Sequence, residues 1–136
     1  MRHRVFLDAN VLFSCAYLST SRLLNLWRLP DTVLLSSDYA GEEARRNLDL
    51  ADHRHRLEQL VKRMESVTAW QSVSLPRGVR LDDKDVPILL AAIEARATHL
   101  LTGDRKDFGH LYGKIVGGIE ILMPAEYLSR RRRTTS

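Results

Sequence analysis

Short runs of consecutive apolar residues alternate with longer stretches in which apolar residues recur every three or four positions. Arg4 to Leu7, Thr32 to Leu35, His99 to Thr102 and Ile119 to Met123 are of the first kind. Runs this brief and this largely apolar predict strands covered on both faces. Between them, Val11 to Tyr17 is an apolar segment, and Ser21 is placed to cap a largely buried helix carrying Leu23, Leu24, Leu26 and Trp27. Ser36-Ser37-Asp38 supplies a helix start with negative charge in the first turn. Two helices are predicted from there to about Val67, the second capped by Asp52. In it Leu57, Leu60, Val61 and Met64 form an apolar stripe, opposite a face of Arg54, Glu58, Lys62 and Glu65. A further helix starts at Asp85, with Val86, Leu89, Leu90, Ile93 and Ala97 as its stripe and Pro87 tolerated in its first turn. Pro124-Ala125-Glu126 begins a short final helix. Ala69 to Leu81 stays open between a loop, marked by Pro76 and Gly78, and an edge strand through Val73 and Leu75. The alternation predicts an α/β fold, a three-layer α/β/α sandwich around a short parallel central sheet.

Composition narrows the setting. The chain has 136 residues, 44% of them hydrophobic, which suits one domain, placed here at residues 1–128. Residues 129–136 contain the run Arg130 to Arg133 and are expected to be a frayed, solvated tail. The net charge of +4 favours polyanions such as nucleic acid. The single Cys15 excludes an internal disulfide and, in its apolar setting, reads as a small core residue. No secretory leader pattern precedes the first strand, and the longest apolar stretch, Ile88 to Ile93, is far shorter than the ~20 residues of a membrane span. The expected location is the cytoplasm, with no membrane partner.

The candidate chemistry lies in the acids. In a parallel α/β sheet, strand C-termini and the following helix N-termini share the edge where ligands bind. Asp8 directly follows the first strand, Glu43 lies early in the helix after the second, Asp85 opens the helix that feeds strand His99 to Thr102, and Asp104 leaves that strand. Asp107 sits one turn beyond. Helical geometry places Glu43 over Tyr39 and Asn47, on the flank of the Ala40, Ala44 and Leu48 stripe, while Glu42 faces Arg45 and Arg46 as a solvated ion pair. Carboxylates this close repel by roughly 4 kcal/mol per pair at an effective dielectric near 20. A proton or a cation has to offset that, and an all-oxygen cluster favours Mg²⁺ or Mn²⁺ over Zn²⁺. Taken singly, Asp85 reads as a helix cap, Asp104 as a turn residue, and Asp8 with Asn10 as an Asx turn. Their joint placement is what points to a metal site.

Four stretches resemble the PIN-domain family along nearly the whole chain: Leu7 to Ser14, Ser37 to Leu48, Asp83 to Ala92 and Leu100 to Phe108, carrying Asp8, Glu43, Asp85 and Asp104 in order. The resemblance is to VapC-like toxin ribonucleases. It implies an Mg²⁺- or Mn²⁺-dependent endoribonuclease that cleaves single-stranded RNA phosphodiesters, the toxin of a bacterial toxin-antitoxin pair. It also implies a cognate antitoxin protein as partner. Asp8, Asp85, Asp104 and Glu43 would be the catalytic and metal-holding residues, with Asn10, Thr102 and Asp107 in support. Asp8-Ala9-Asn10 lacks the hydroxyl that many relatives carry beside the first acid, and Ser14 is the candidate replacement.

Arg46, Arg105 and Lys106 are candidates for guiding RNA, and an exposed apolar helix face suggests a homodimer. Two other readings compete. A non-catalytic RNA-binding domain is opposed by the acidic edge, which repels phosphate unless a cation intervenes. A metal-dependent phosphohydrolase would use an aspartyl nucleophile with a nearby Lys, but no Lys closely follows Asp8, and Lys106 is the only basic residue of that type expected near the edge. His53 and His55, two apart, point away from each other on a helix, and His3, His99 and His110 read as surface or packing residues.

Overall fold

The computed structural model describes residues 2–68 and 73–135. Strand β1 (His3–Leu7) runs into helix α1 (Ala9–Tyr17), followed by a 3₁₀ helix at Arg22–Arg28. Strand β2 (Thr32–Ser37), helices α2 (Asp38–Arg46) and α3 (Ala51–Lys62) and strand β3 (Glu65–Val67) complete the first half. The second half holds α4 (Val86–Glu94), β4 (His99–Leu101), α5 (Arg105–Phe108), β5 (Ile115–Val116), β6 (Ile119–Leu122) and α6 (Pro124–Thr135). The six strands form one sheet in the order β3-β2-β1-β4-β6-β5. All neighbours pair parallel except β5 with β6. Helices flank this sheet, as the alternating pattern predicts.

Val5, Phe6, Leu7, Leu100, Leu101 and Ile121 are fully buried, which is what continuous apolar runs require of central parallel strands. Helix α4 buries the whole of Ile88 to Ala92, so it is a core helix and not only a striped one. Helix α1 packs against α2 and α3, and α4 against β2 and α2. Cys15 is buried in this core, and burial pushes its thiol up to about 12.

Several local expectations are corrected. Asp52 does not cap α3: Leu50 holds the cap position without a side-chain bond, and Asp52 lies one step inside the first turn, where its charge still suits the helix dipole. Helix α3 stops at Lys62, and Glu65 belongs to strand β3, where it pairs with Arg4 at 3.0 Å. Ser21 does cap its helix, but the turn is 3₁₀ and only Leu26 is fully buried in it. Residues 69–72 of the open segment lie outside the described residues, and residues 73–81 carry a turn at Arg77–Gly78 and no strand.

The arginine run is helical, not frayed. Arg130 pairs with Glu120 at 2.7 Å and with Glu126 at 3.3 Å. Arg131 donates to Tyr127 Oη (2.7 Å), Thr32 Oγ1 (2.9 Å) and the Pro30 carbonyl (2.7 Å). His3 and His99, far apart in sequence, stack with centroids 4.8 Å apart beneath Tyr127. Tyr127 Oη lies 2.6 Å from His3 Nδ1, which also faces the Arg131 guanidinium at 3.3 Å. A guanidinium only donates, so Nδ1 accepts and the ring is neutral. Burial, then the Arg131 charge, lowers the pKa of His3, and burial takes that of His99 down to about 4.

Arg131→Ala is expected to lower the unfolding free energy by about 2 kcal/mol in urea titration, since charged hydrogen bonds to half-buried partners are removed. A change below about 0.5 kcal/mol, the range of ordinary surface substitutions, would mean that the arginine run is a solvated tail after all.

Candidate metal centre

The site begins with the register of two strands. Leu7 on β1 is paired with Leu101 on β4, so the next residues, Asp8 and Thr102, leave the sheet side by side. Strand order reverses at this boundary, the topological position where parallel sheets leave a crevice at their carboxyl edge. Asp8 is the N-cap of α1, and its Oδ1 accepts from the Ala9 amide at 2.6 Å. Its Oδ2 accepts from Thr102 Oγ1 (2.9 Å) and Asn10 Nδ2 (3.2 Å). Thr102 therefore supplies the hydroxyl missing from Asp-Ala-Asn. Ser14 does not: its hydroxyl donates to the Asn10 carbonyl one turn back. Asn10 Oδ1 accepts from the Gly103 amide at 2.8 Å, where a Cβ on residue 103 would come within 3.4 Å of the same oxygen.

Asp104 caps α5, accepting the Asp107 amide at 3.0 Å. Its own amide donates to Thr102 Oγ1 at 3.1 Å, so Thr102 links both acids. Asp85 behaves differently. It stands at the N-cap of α4 but makes no side-chain cap bond, and its buried Oδ2 has no hydrogen-bond partner. Such an atom costs about 1–3 kcal/mol or more unless a proton or cation meets it.

Asp8, Glu43, Asp85 and Asp104 line one cavity of about 430 Å³, together with Asn10, Phe13, Asn47 and Lys84. Glu43 reaches it from α2 as helical geometry predicts, while Glu42 faces Arg45 at 4.0 Å on the exposed side. Sequence reasoning missed two residues of this region. Lys84 lines the cavity and pairs with Asp107 at 3.3 Å, so Lys106 is not the lone lysine of the edge. The tightest convergence of carboxylates is not within the expected quartet either. Asp82, Asp85 and Asp107 each present an oxygen within 4.8 Å of the others. The Asp82-x-x-Asp85 and Asp104-x-x-Asp107 spacings, each about one turn, were the available signal. Arg46, Arg105 and Lys106 are exposed around the edge and are not among the residues that line the cavity.

Electrostatics follow from burial. Desolvation raises Asp8 to about 6, against the bonds from Thr102 and Ala9 and with help from the Glu43 and Asp104 charges. Burial, then the hydrogen bond to Asp107 and the charges of Asp107 and Asp8, raises Asp85 to about 7. Asp107 is lowered, first by that same bond. Of this pair, Asp85 is the one whose protonated form is favoured. The donors are all oxygen, one of them orphaned, and no Cys or His lines the cavity among the described residues. This set fits a hard divalent cation in place of the proton.

The PIN-domain family profile matches residues 4–106. The chain belongs to the PIN-domain family. No curated protein matches it by sequence. Among solved structures it is similar to VapBC2 from Rickettsia felis bound to a DNA fragment from its promoter, with a TM-score of 0.58 and 14% identity over 87% of this chain and 96% of the other. That likeness is one of fold. PIN domains are generally nucleases, and the acidic cluster of this one is in place. No helix among the described residues is long and apolar enough to cross a membrane.

The raised carboxyl groups bind protons more tightly in the folded than in the unfolded chain. Their stabilising contribution is complete below about pH 4 and is lost as pH rises through about 6 and about 7. For Asp8 alone this amounts to roughly 3 kcal/mol. In EDTA, Asp85→Asn is expected to melt higher than wild type at pH 8, with the difference vanishing near pH 5, as followed by circular dichroism. His3 and His99 act in the opposite direction below pH 6.5, and comparing the two proteins cancels them.

Proposed function

We propose that this protein is a metal-dependent endoribonuclease that hydrolyses phosphodiesters of single-stranded RNA. One observation carries the reading: carboxylates from four separate segments line one cavity, in which Asp85 carries a buried oxygen with no hydrogen-bond partner. Mg²⁺ or Mn²⁺ bound there supplies Lewis acidity to a phosphoryl oxygen and a nucleophilic water at neutral pH. Asp8, Asp85 and Asp104 would hold the ion. Thr102 and Asn10 keep Asp8 oriented through bonds to its Oδ2. Glu43, which lines the same cavity, would accept a proton from the attacking water. The water oxygen would form the new bond to phosphorus as its proton passes to Glu43, the bond to the leaving ribose oxygen would break, and that oxygen would take up a proton from solvent water.

Arg46, Arg105 and Lys106 lie exposed around this edge and would carry the RNA backbone past it. A similar solved structure is a VapBC2 assembly, which supports a cognate antitoxin as partner here. Tyr17, Leu18 and Leu50 are large apolar side chains left exposed, a surface consistent with self-association.

Asp8→Asn and Asp104→Asn are each expected to reduce cleavage of single-stranded RNA at least a hundredfold with the fold intact, and EDTA to abolish it in wild type. Retained activity in either variant overturns the assignment. RNA binding without cleavage in any metal supports the binding-domain alternative, and release of phosphate from small phosphomonoesters supports the phosphohydrolase. Neutralising Arg46, Arg105 and Lys106 together should raise KM and flatten its salt dependence by about 0.7 in log–log slope for each RNA phosphate that no longer meets a cationic side chain.

A further inference from the structure

Helix α1 starts at the acidic cavity and ends in an exposed aromatic ring. Asp8 caps it, Phe13 lines the cavity, and Tyr17, its last residue, is 51% exposed. Residues four apart share a helix face, and the Phe13 and Tyr17 rings stack with centroids 5.5 Å apart and planes inclined by 18°. His53, from α3, meets Tyr17 at 4.9 Å with its plane tilted by 55°. One aromatic surface therefore runs from the cavity wall out to solvent, and Tyr17 lies about 13 Å along the α1 axis from Asp8. Phe13 packs against the core, whereas Tyr17 leaves half its surface in water, so burial alone gives no reason for an aromatic residue there.

The flank of this surface is cationic. Arg56 donates to the carbonyl of Ala16, next to Tyr17, at 2.5 Å, and Arg54 donates to the Leu48 carbonyl at 2.6 Å. Main-chain oxygens thus hold both guanidinium groups in place. Among the described residues no carboxylate pairs with either, and Asp49 and Asp52, the acids of the same stretch, are exposed.

We propose that Phe13, Tyr17 and His53 form a stacking platform for an unpaired base of the RNA strand that enters the cavity, with Arg54 and Arg56 meeting the backbone beside it. Every base presents a π face, so rings flanked by fixed cations hold a single strand without demanding a sequence. The acids of the cavity oppose the approach of phosphate, and an uncharged stacking contact supplies affinity that they do not oppose. A base still paired in a duplex has both faces covered by its neighbours and cannot be held this way. The platform thus adds a reason for single-strand preference that the acids alone lack. The inference rests on reading the cavity as a ribonuclease site, and its test separates the two.

The experiment titrates the full-length protein in EDTA, where no metal-dependent cleavage intervenes, with a fluorescein-labelled oligoadenosine RNA and with an abasic strand of the same length and charge, and reads fluorescence anisotropy. Wild type is expected to bind the oligoadenosine about tenfold more tightly than the abasic strand. Tyr17→Ala should lose most of that preference while binding the abasic strand as wild type does. Tyr17→Phe should keep the preference, and Tyr17→Leu, apolar but without a π face, should not. Equal binding of both strands by wild type overturns the proposal. So does an undiminished preference in Tyr17→Ala, or an equal loss on both strands. If Tyr17→Ala keeps the preference but sediments as a smaller species, this face is a contact between copies of the chain and the platform fails. Cleavage of RNA in MgCl₂ by a wild type that binds both strands equally leaves the ribonuclease reading standing without the platform. A Tyr17-dependent base preference with no cleavage in any divalent metal does the reverse.

Discussion

The parallel pairing of β1 with β4 is the constraint from which the site follows. Once Leu7 is set against Leu101, Asp8 and Thr102 must emerge together, and the hydroxyl-to-carboxylate bond between them is a consequence of register. A slip of one residue would turn both side chains to the other face of the sheet. The fully buried apolar residues on either side make such a slip costly, so the hydrophobic core fixes the position of a charged group at its edge. Helices α1 and α5 then begin at this edge, and Asp8 and Asp104 cap them.

That double duty explains how a cluster of like charges persists in a folded chain. Each cap bond satisfies a backbone amide that a helix start leaves open, a gain of roughly 1 kcal/mol that partly offsets the repulsion among the acids. Asp8 and Asp104 would therefore be defensible as structural residues alone. Asp85 would not, because it occupies a cap position and caps nothing. The residue that looks most like an ordinary cap in the sequence is the one whose side chain is left for other chemistry.

Much of this was legible from pattern. The central strands β1, β2, β4 and β6 are each built around a short apolar core that the sequence pattern marks for burial, and Glu43 was separable from Glu42 by helical angle alone. The edge strands were not read, for physical reasons. Glu65-Ser66-Val67 is short and exposed, and it directly follows a helical stripe that Met64 continues, so periodicity ran through the break. The β5–β6 hairpin had a sequence signal, Gly117-Gly118 between β-branched residues, and both glycines adopt the positive φ (57° and 82°) that a two-residue hairpin turn demands. Lys84 and Asp82 were hidden because exposed charges before a helix normally stay solvated, and only tertiary placement shows that they face Asp107.

The two ends of the sheet divide the labour of folding and chemistry. At the carboxyl edge, burial raises the pKa values of Asp8 and Asp85, and folding there works against electrostatics. At the amino edge, His3 stacks on His99, Tyr127 covers both, and Arg130 and Arg131 fasten α6 to the strands and to the Pro30–Thr32 turn. The polar groups named in that second cluster each meet a donor or acceptor of the right kind. Stability invested at one end of a strand is available at the other, because β1 carries His3 at its start and ends directly before Asp8. A basic segment that sequence pattern assigns to a frayed, solvated tail instead fastens α6 to the amino edge of the sheet through Arg130 and Arg131.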